Sequence, residues 1–430
     1  MTIEPKPSQK FEPLPSLEIR NAASLATPLG RAARRGSEQG EIQRIRGAAL
    51  RAENGVLVFV GTEEEYRRRY EGAPAAVSID ASGKTLLPGF VDAHTHPVWA
   101  GDRGVEIGRR LSGESYAAIA AQGGGINATV RATREASSEE LARLVRERLT
   151  RMQAHGTTTV EAKSGYGLTP AEEIRSLEVL AGAAREPDLP RLVPTLLAAH
   201  EIPPEYRSRR AEWVRVIAEE IVAEAARRGL ARFCDVFCDE GVFTVDESQT
   251  ILEAARRAGL GLRIHADELA RSGGAFLAAE LRAASADHLL CIGDEEVAAL
   301  ARAGTVAVLL PGTAWWMRSQ RAPARALISA GVPVAVATDS NPGTCLTESL
   351  PAVAAHACLD SGLTVEETLT AITLNAAASL GLAAETGSLE PGKSADAVWI
   401  DAPEDRHLIY HWGVNLVAGV VCRGRVVKAP

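Results

Sequence analysis

Between about residues 85 and 390 the chain repeats one pattern, a short apolar run followed by a segment with helical caps and periodicity. The runs fall at 86–92, 157–162, 192–199, 232–238, 261–265, 287–292, 305–310 and 332–337. Buried-looking strands that alternate with helices read as parallel strands joined by crossovers, and eight such units point to a closed (β/α)8 TIM barrel rather than an open sheet. Capping spacings mark several of the helices: Ser137 with Glu140, Thr169 with Glu172, Asp246 with Gln249 and Thr364 with Glu367. Pro170 stands where a first-turn proline is tolerated, and Gly381 suits a helix stop.

The two ends of the chain have a different texture. From Leu17 to about Ile79, short apolar runs such as Gly55-Val-Leu-Val-Phe-Val-Gly61 are broken by Gly and Asn, as in strands joined by tight turns. The same texture returns in Ala397-Val-Trp-Ile400 and from Leu416 to Val427. The expectation is an α/β protein in which residues 1–84 and 386–430 together build a small composite β-sandwich domain, flanking a barrel over 85–385. Residues 1–16 are Pro-rich and polar and read as a loose tail or an edge strand. The charged run Glu63-Glu-Glu-Tyr-Arg-Arg-Arg69 reads as a solvated helix face.

Bulk properties exclude several classes. The net charge of −8 argues against nucleic acid, whose phosphates demand clustered Lys and Arg. No apolar run approaches the ~18 residues of a membrane span, and Met1–Ser16 lacks the apolar core of a secretory signal. Six cysteines, at 234, 238, 291, 345, 358 and 422, form no CxxC pair, which fits free thiols in a reducing compartment. A cytoplasmic protein with no membrane or nucleic-acid partner is expected. Cys234 and Cys238, inside a strand-like run, read as inert core thiols.

In a barrel of this kind, reactive groups gather where strands end and βα loops begin. The strand ends here are polar: Asp92-Ala-His94-Thr-His96, Glu161-Ala-Lys163-Ser-Gly-Tyr166, His200, Cys238-Asp-Glu240, His265-Ala-Asp267-Glu268 and Thr338-Asp339-Ser-Asn341, with Asp287-His288 opening the sixth run. Residues two apart on a strand point to one face, so His94 and His96 can both aim into the barrel mouth and reach one ion. With His265 and Asp339 also at strand ends, three imidazoles and a carboxylate suit one metal ion, Zn2+ or Fe2+/Fe3+, with a place left for water. The run Gln122-Gly-Gly-Gly-Ile126 lacks the Gly-Lys-Ser/Thr ending of a phosphate loop and reads as a flexible loop. His155, His356, His407 and His411 have no strand-end position and read as structural.

Leu87-Pro-Gly-Phe-Val-Asp-Ala-His-Thr-His96 resembles the first-strand signature of the amidohydrolase superfamily, and Gly387-Ser-Leu-Glu-Pro-Gly-Lys-Ser-Ala-Asp396 resembles its return to the small β domain. Within that superfamily the chain is similar to the imidazolonepropionase family. The likeness lies in Trp99-Ala-Gly-Asp-Arg103, Glu161-Ala-Lys-Ser-Gly-Tyr-Gly-Leu168, Ala199-His-Glu-Ile-Pro-Pro-Glu-Tyr206, His265-Ala-Asp-Glu268, Asp339-Ser-Asn-Pro-Gly-Thr344 and Tyr410-His-Trp-Gly-Val-Asn415. It runs from about residue 85 to the C-terminus. It fades in the first 55 residues, where Ala32-Ala-Arg-Arg35 is not aligned with it.

The resemblance implies that His94, His96, His265 and Asp339 ligate the metal. It places a small anionic imidazolone against Arg103, Tyr166, His200, Glu268, Asn341, Gly343 and Thr344, with His288 beside the metal. It further implies a homodimer and hydrolysis of 4-imidazolone-5-propanoate to N-formimino-L-glutamate. Binuclear members of the superfamily carry a lysine at the end of the fourth strand; the run Cys234-Asp-Val-Phe-Cys238 has none, which favours one metal. Lys163, on the second strand, is expected to be structural or to support the ligands. Glu268, assisted by His288 or Asp339, is the expected proton carrier, and Arg103 the expected partner of the propionate, since a guanidinium grips carboxylate as a fork. Two other readings stand beside this one: another mononuclear amidohydrolase such as a nucleobase-type deaminase, or a non-catalytic binding protein on the same scaffold.

Overall fold

Strands β1 (Leu17–Thr27), β2 (Gln43–Glu53), β3 (Val56–Thr62), β4 (Val77–Asp80) and β5 (Thr85–Pro88) open the chain in the computed structural model, which describes residues 14–114, 118–119 and 122–429. Most of the Pro-rich tail, residues 1–13, lies outside the described residues. The barrel strands follow: β6 (Phe90–Asp92), β7 (Thr157–Lys163), β8 (Arg191–Ala199), β9 (Phe233–Cys238), β10 (Gly261–Ala266), β11 (Ser285–His288), β12 (Val306–Leu309) and β13 (Val334–Val336). The chain then returns with β14 (Ala397–Ile400), β15 (Val417–Cys422) and β16 (Arg425–Lys428).

The terminal strands share one sheet in the order β16-β15-β14-β5-β1-β2-β3, with β4 beside β1. The two ends of the chain meet where β5 and β14 run antiparallel, Leu86 opposite Trp399 and Leu87 opposite Val398. Leu25, Leu50, Leu86 and Trp399 are buried in the core of this sheet. Asn54 and Gly55 link β2 to β3 with positive φ at both positions, the geometry that matches a two-residue turn to strand twist. The run from Glu63 to Tyr70 is a helix, closed at its start by a reciprocal capping box between Thr62 and Glu65.

β6 to β13 lie side by side in chain order, each parallel to the next. The seam between the first and last strands is joined beyond their ends. Thr95 bridges Ser340 in parallel, the Asp339 N–H donates to the His94 carbonyl at 3.0 Å, and the His96 N–H donates to the Ser340 carbonyl at 3.0 Å. Asp92 reinforces it, accepting from the Thr338 N–H at 3.0 Å and the Thr338 hydroxyl at 2.6 Å. Complete burial pushes this carboxyl up to about 7. Val91, Val193, Phe233, Val306 and Val308 form an apolar cluster inside the barrel, against Ala376 and Ala377 of the helix Leu374–Ser379. Polar residues share that interior: Thr157, Thr159, Glu161 and Lys163, at alternate positions of β7, are all fully buried.

Three local expectations need correction. The run 86–92 is two strands: Thr85–Pro88 belongs to the terminal sheet, and only Phe90–Asp92 joins the barrel. Gly89 separates them, and a Cβ there would fall 2.3 Å from the Thr158 hydroxyl. The sixth barrel strand is Ser285–His288, so Asp287-His288 closes it rather than opening it. Its inward residues are polar because the barrel interior is polar at that level, which hid the strand from an apolar reading. The helix Val245–Arg257 is capped by Thr244 with Glu247, not by Asp246 with Gln249. Ser137, Thr169 and Thr364 cap their helices as expected.

Candidate active site

The seam decides the geometry of the histidine pair. Because Thr95 pairs with Ser340, its neighbours His94 and His96 project together into the barrel, and Asp339 stands beside both. His96 Nε2 is 3.3 Å from His94 Nε2 and 3.2 Å from Asp339 Oδ1, which is 3.6 Å from His94 Nε2. His265, at the end of β10, brings its ring to 4.5 Å from that of His94. Possible ligand atoms of His94, His96 and His265 all lie within 4.8 Å of one another.

The protonation pattern fits a cation. His94 Nδ1 lies 2.6 Å from Asp287 Oδ2, and since a carboxylate can only accept, this contact suits a proton on Nδ1 and a lone pair on Nε2. Burial first, then Lys163 and the neighbouring imidazoles, holds His94 well below the usual histidine range; burial and His265 do the same to His96. A single proton on His96 Nε2 can satisfy one of the close contacts but not all of them. Buried His96 Nδ1 and His265 Nε2 have no hydrogen-bond partner. Two ligands of one tetrahedral ion, each ~2.1 Å away, stand about 3.4 Å apart, which is the spacing of the His94, His96 and Asp339 atoms. The residues fit a divalent ion.

A cavity of about 490 Å³ opens above the cluster, lined by His96, Arg103, Tyr166, His200, His265, Glu268, His288, Asp339, Asn341, Gly343 and Thr344 among others. The sequence-predicted site residues are thus brought together, with His94 alone beneath the lining. His200 stacks on His96 with 5.1 Å between rings, and its Nδ1 is 2.9 Å from the Gly165 carbonyl. Tyr166 packs edge-on to His200 at 5.2 Å. The Glu268 carboxyl is pushed well above the ordinary carboxylate range by burial, then by the charges of Asp339 and Asp239. His288 Nε2 lies 3.5 Å from Glu268 Oε2, and burial pulls this imidazole down to about 3. Glu268 is thereby set to hold and pass on a proton, while the His288 ring stays neutral and can accept a hydrogen bond.

Arg103 reaches the cavity wall already engaged. Its Nε and Nη2 donate to Glu106 Oε2 at 3.1 and 2.9 Å, and the side chain is 6% exposed. Glu106 therefore fixes the direction of the guanidinium. A Cβ on Gly343 would lie 2.3 Å from Arg103 Nη1. Gly343→Ala is expected to displace the guanidinium and raise KM with kcat little changed; an unaltered KM in steady-state kinetics contradicts this. The Asn341 amide is spent on its own loop, accepting from the Gly343 and Thr344 N–H groups at 2.8 Å each and donating to the Thr344 hydroxyl at 2.8 Å. Its visible work is to shape the loop carrying Gly343 and Thr344.

Sequence reasoning missed the carboxylates that hold this frame. Asp239 accepts from the Glu268, Leu269 and Ala270 N–H groups at 2.7–3.1 Å and so pins the Glu268 backbone. Glu173 accepts from Gly165, Gly167 and Leu168 at 2.8–3.1 Å and shapes the turn that presents Tyr166. The Thr313 hydroxyl donates to Asp339 Oδ2 at 2.6 Å. Asp267, His288 and Asp339 have positive φ, a backbone form that L-residues adopt at a cost and that collects at functional sites. Acidic residues just after a strand were the available signal for Asp239.

The pattern of the amidohydrolase family matches residues 85–427. The imidazolonepropionase of Symbiobacterium thermophilum is 50% identical over 413 residues, 96% of this chain and 97% of its own. Those of Geobacillus kaustophilus and Porphyromonas gingivalis are 46% and 44% identical, each covering 96% of this chain and 97% of its own. Among solved structures, an adenosine deaminase from Xanthomonas campestris with bound zinc superposes with a TM-score of 0.70 at 20% identity, over 96% of this chain and 93% of that one. An atrazine chlorohydrolase variant from Arthrobacter aurescens, complexed with zinc and atraton, gives 0.69 at 16% identity, over 96% and 95%. At such identities the two structures speak to the fold alone. With relatives this similar over nearly their whole length, the chain is a hydrolase that belongs to the amidohydrolase family and, within it, to the imidazolonepropionases.

Proposed function

We propose that the chain hydrolyses the ring C–N bond of 4-imidazolone-5-propanoate to give N-formimino-L-glutamate, a step of histidine breakdown. The observation that carries the proposal is a single cavity with a three-imidazole, one-carboxylate cluster at its floor and a buried guanidinium on its wall. His94, His96, His265 and Asp339 would hold one ion, zinc or iron. When bound, such an ion supplies Lewis-acid chemistry and makes hydroxide available near neutral pH. Water adds to the ring carbonyl carbon, the C–N bond breaks, and the nitrogen departs with a proton. Glu268 takes that proton from the attacking water and delivers it to the nitrogen, assisted by His288. Asp339 shares in this to the extent that its role as ligand allows. Arg103 receives the propionate, Tyr166 and His200 flank the ring, and the loop of Asn341, Gly343 and Thr344 closes the far wall.

Loss of ring absorbance on adding imidazolonepropionate to the purified protein, beside cytosine and guanine as competitors, tests the substrate. Turnover of a nucleobase with none of the imidazolone would favour a deaminase instead. Elemental analysis of the same sample decides between zinc and iron. Arg103→Ala is expected to raise KM about 100-fold, the cost of one charge-assisted fork of about 3 kcal/mol, with the circular dichroism unchanged. An unchanged KM would remove Arg103 from carboxylate binding.

A further inference from the structure

Beneath the imidazole cluster lies a second constellation that the hydrolysis does not use directly. Lys163 Nζ donates to Glu161 Oε1 at 2.8 Å and to Asp235 Oδ2 at 2.7 Å. Arg263 Nη2 donates to Asp287 Oδ2 at 3.2 Å, and its Nε stands 3.8 Å from Glu161 Oε1. All five side chains are completely buried. Desolvating so many charges costs several kcal/mol for each ion, and apolar filling of similar volume is often as stable. Stability alone is a weak reason for the arrangement.

Its outer ends give a better one. Asp287 Oδ2 meets His94 Nδ1 at 2.6 Å, and Asp235 Oδ2 lies 3.0 Å from His265 Nδ1. The order cation, carboxylate, imidazole therefore occurs twice, once through Arg263 and once through Lys163, with Glu161 between the two cations. A neutral imidazole has one N–H and one lone pair. Only the N–H can face a carboxylate at such distances, since a lone pair there would be repelled, so the lone pair is left on Nε2. The contact of His265 is not aligned as a full hydrogen bond, but Asp235 also accepts from the His265 backbone N–H at 3.2 Å, which ties the carboxylate to the strand. Arg263 is tied in turn to the carbonyls of Ala93 at 2.8 Å and Ser379 at 3.1 Å, beside the strand that carries His94.

We infer that Lys163–Asp235 and Arg263–Asp287, linked through Glu161, are positioning pairs that hold His265 and His94 as Nδ1–H tautomers and reserve both Nε2 lone pairs for the ion. The inference rests on the metal reading above. Without the ammonium, Asp235 loses its anchor and His265 its fixed tautomer. Lys163 is thus a positioning residue for a ligand it does not touch.

Asp235→Asn keeps the volume but removes the negative charge that draws the Nδ1–H, so His265 is free to take the Nε2–H form. In metal-stripped full-length protein its zinc affinity, read by competition with a fluorescent chelator, is expected to fall about 10–100-fold, and Lys163→Met to fall in the same direction. 15N-histidine spectra of stripped Asp235→Asn are expected to show one imidazole moving from Nδ1–H to Nε2–H. A merely structural role would lower the unfolding midpoint and leave the tautomers alone. Zinc affinity within twofold of wild type together with unmoved tautomers overturns the inference and leaves the metal reading intact. A wild-type protein that binds neither zinc nor iron defeats the metal reading, and the inference with it. Should the variants fail to fold, the stripped wild type decides: the signals lost in His94→Gln and His265→Gln must belong to Nδ1–H imidazoles, and Nε2–H at either overturns the inference.

Discussion

Glu268→Gln is expected to lower kcat by about 10²–10⁴-fold, the usual worth of a placed proton carrier, or about 3–5.5 kcal/mol of barrier. The substitution conserves shape and leaves the backbone N–H of residue 268 on Asp239, so the loop keeps its anchor. What it removes is the titrating proton. Burial sets Glu268 well above the ordinary carboxylate range, so the group exchanges its proton closer to neutrality than an exposed carboxylate does. KM and metal content are expected to stay near wild type, because nothing in the cluster of His94, His96, His265 and Asp339 depends on that proton. Steady-state kinetics paired with elemental analysis checks both halves. A variant with full metal content and kcat within tenfold of wild type would take the proton-carrying role away from Glu268. His288, 3.5 Å away, would then be the group to examine.

The parts of this site that were legible in the sequence are those that break a pattern in one place. His94 and His96 interrupt the end of an apolar strand at a spacing of two, and strand geometry alone puts both on one face. Asp339 and His265 sit at the ends of other apolar runs, where a barrel collects its reactive groups. Asp235 and Arg263 were harder, because each stands alone inside a strand-like run and nothing local says that two lone charges on neighbouring strands will meet. β9 and β10 place them opposite one another, Asp235 beside Arg263, and only the register reveals it. The sixth strand was displaced for the same reason: Ser285 and Asp287 look like loop residues until the interior they face is known to be polar. The division of 85–92 into a strand for each sheet depended on pairing with β14, some three hundred residues away in the chain, with Gly89 as the one local sign. The pairing of Arg103 with Glu106 could have been anticipated, since the two are three apart at the start of a helix. It redirects the role expected of Arg103, from a free fork to a fork aimed by its neighbour.

His265→Ala is expected to abolish both activity and bound metal, with the larger part of the loss arising from the metal. The cluster has three imidazoles and one carboxylate, and removing one imidazole leaves His94, His96 and Asp339 on the seam with no ligand from across the barrel. The barrel itself should persist, because His265 is at the rim of β10 and the strand keeps its neighbours on both sides. Two measurements separate loss of metal from loss of fold. Elemental analysis should find less than about a tenth of the wild-type metal, as expected when a ligand rather than its support is removed. Thermal unfolding should then lose its dependence on added zinc: an ion that binds only the folded state at a hundredfold excess over its dissociation constant adds about 2.7 kcal/mol, and the variant should forfeit that increment while matching the stripped wild type. Wild-type turnover by a variant that carries no metal would refute the ligand assignment at its root, because the chemistry would then proceed with the cluster empty. Full metal content with lost turnover would be equally instructive, moving His265 from the ion to the substrate, where its place on the cavity wall also allows it to reach.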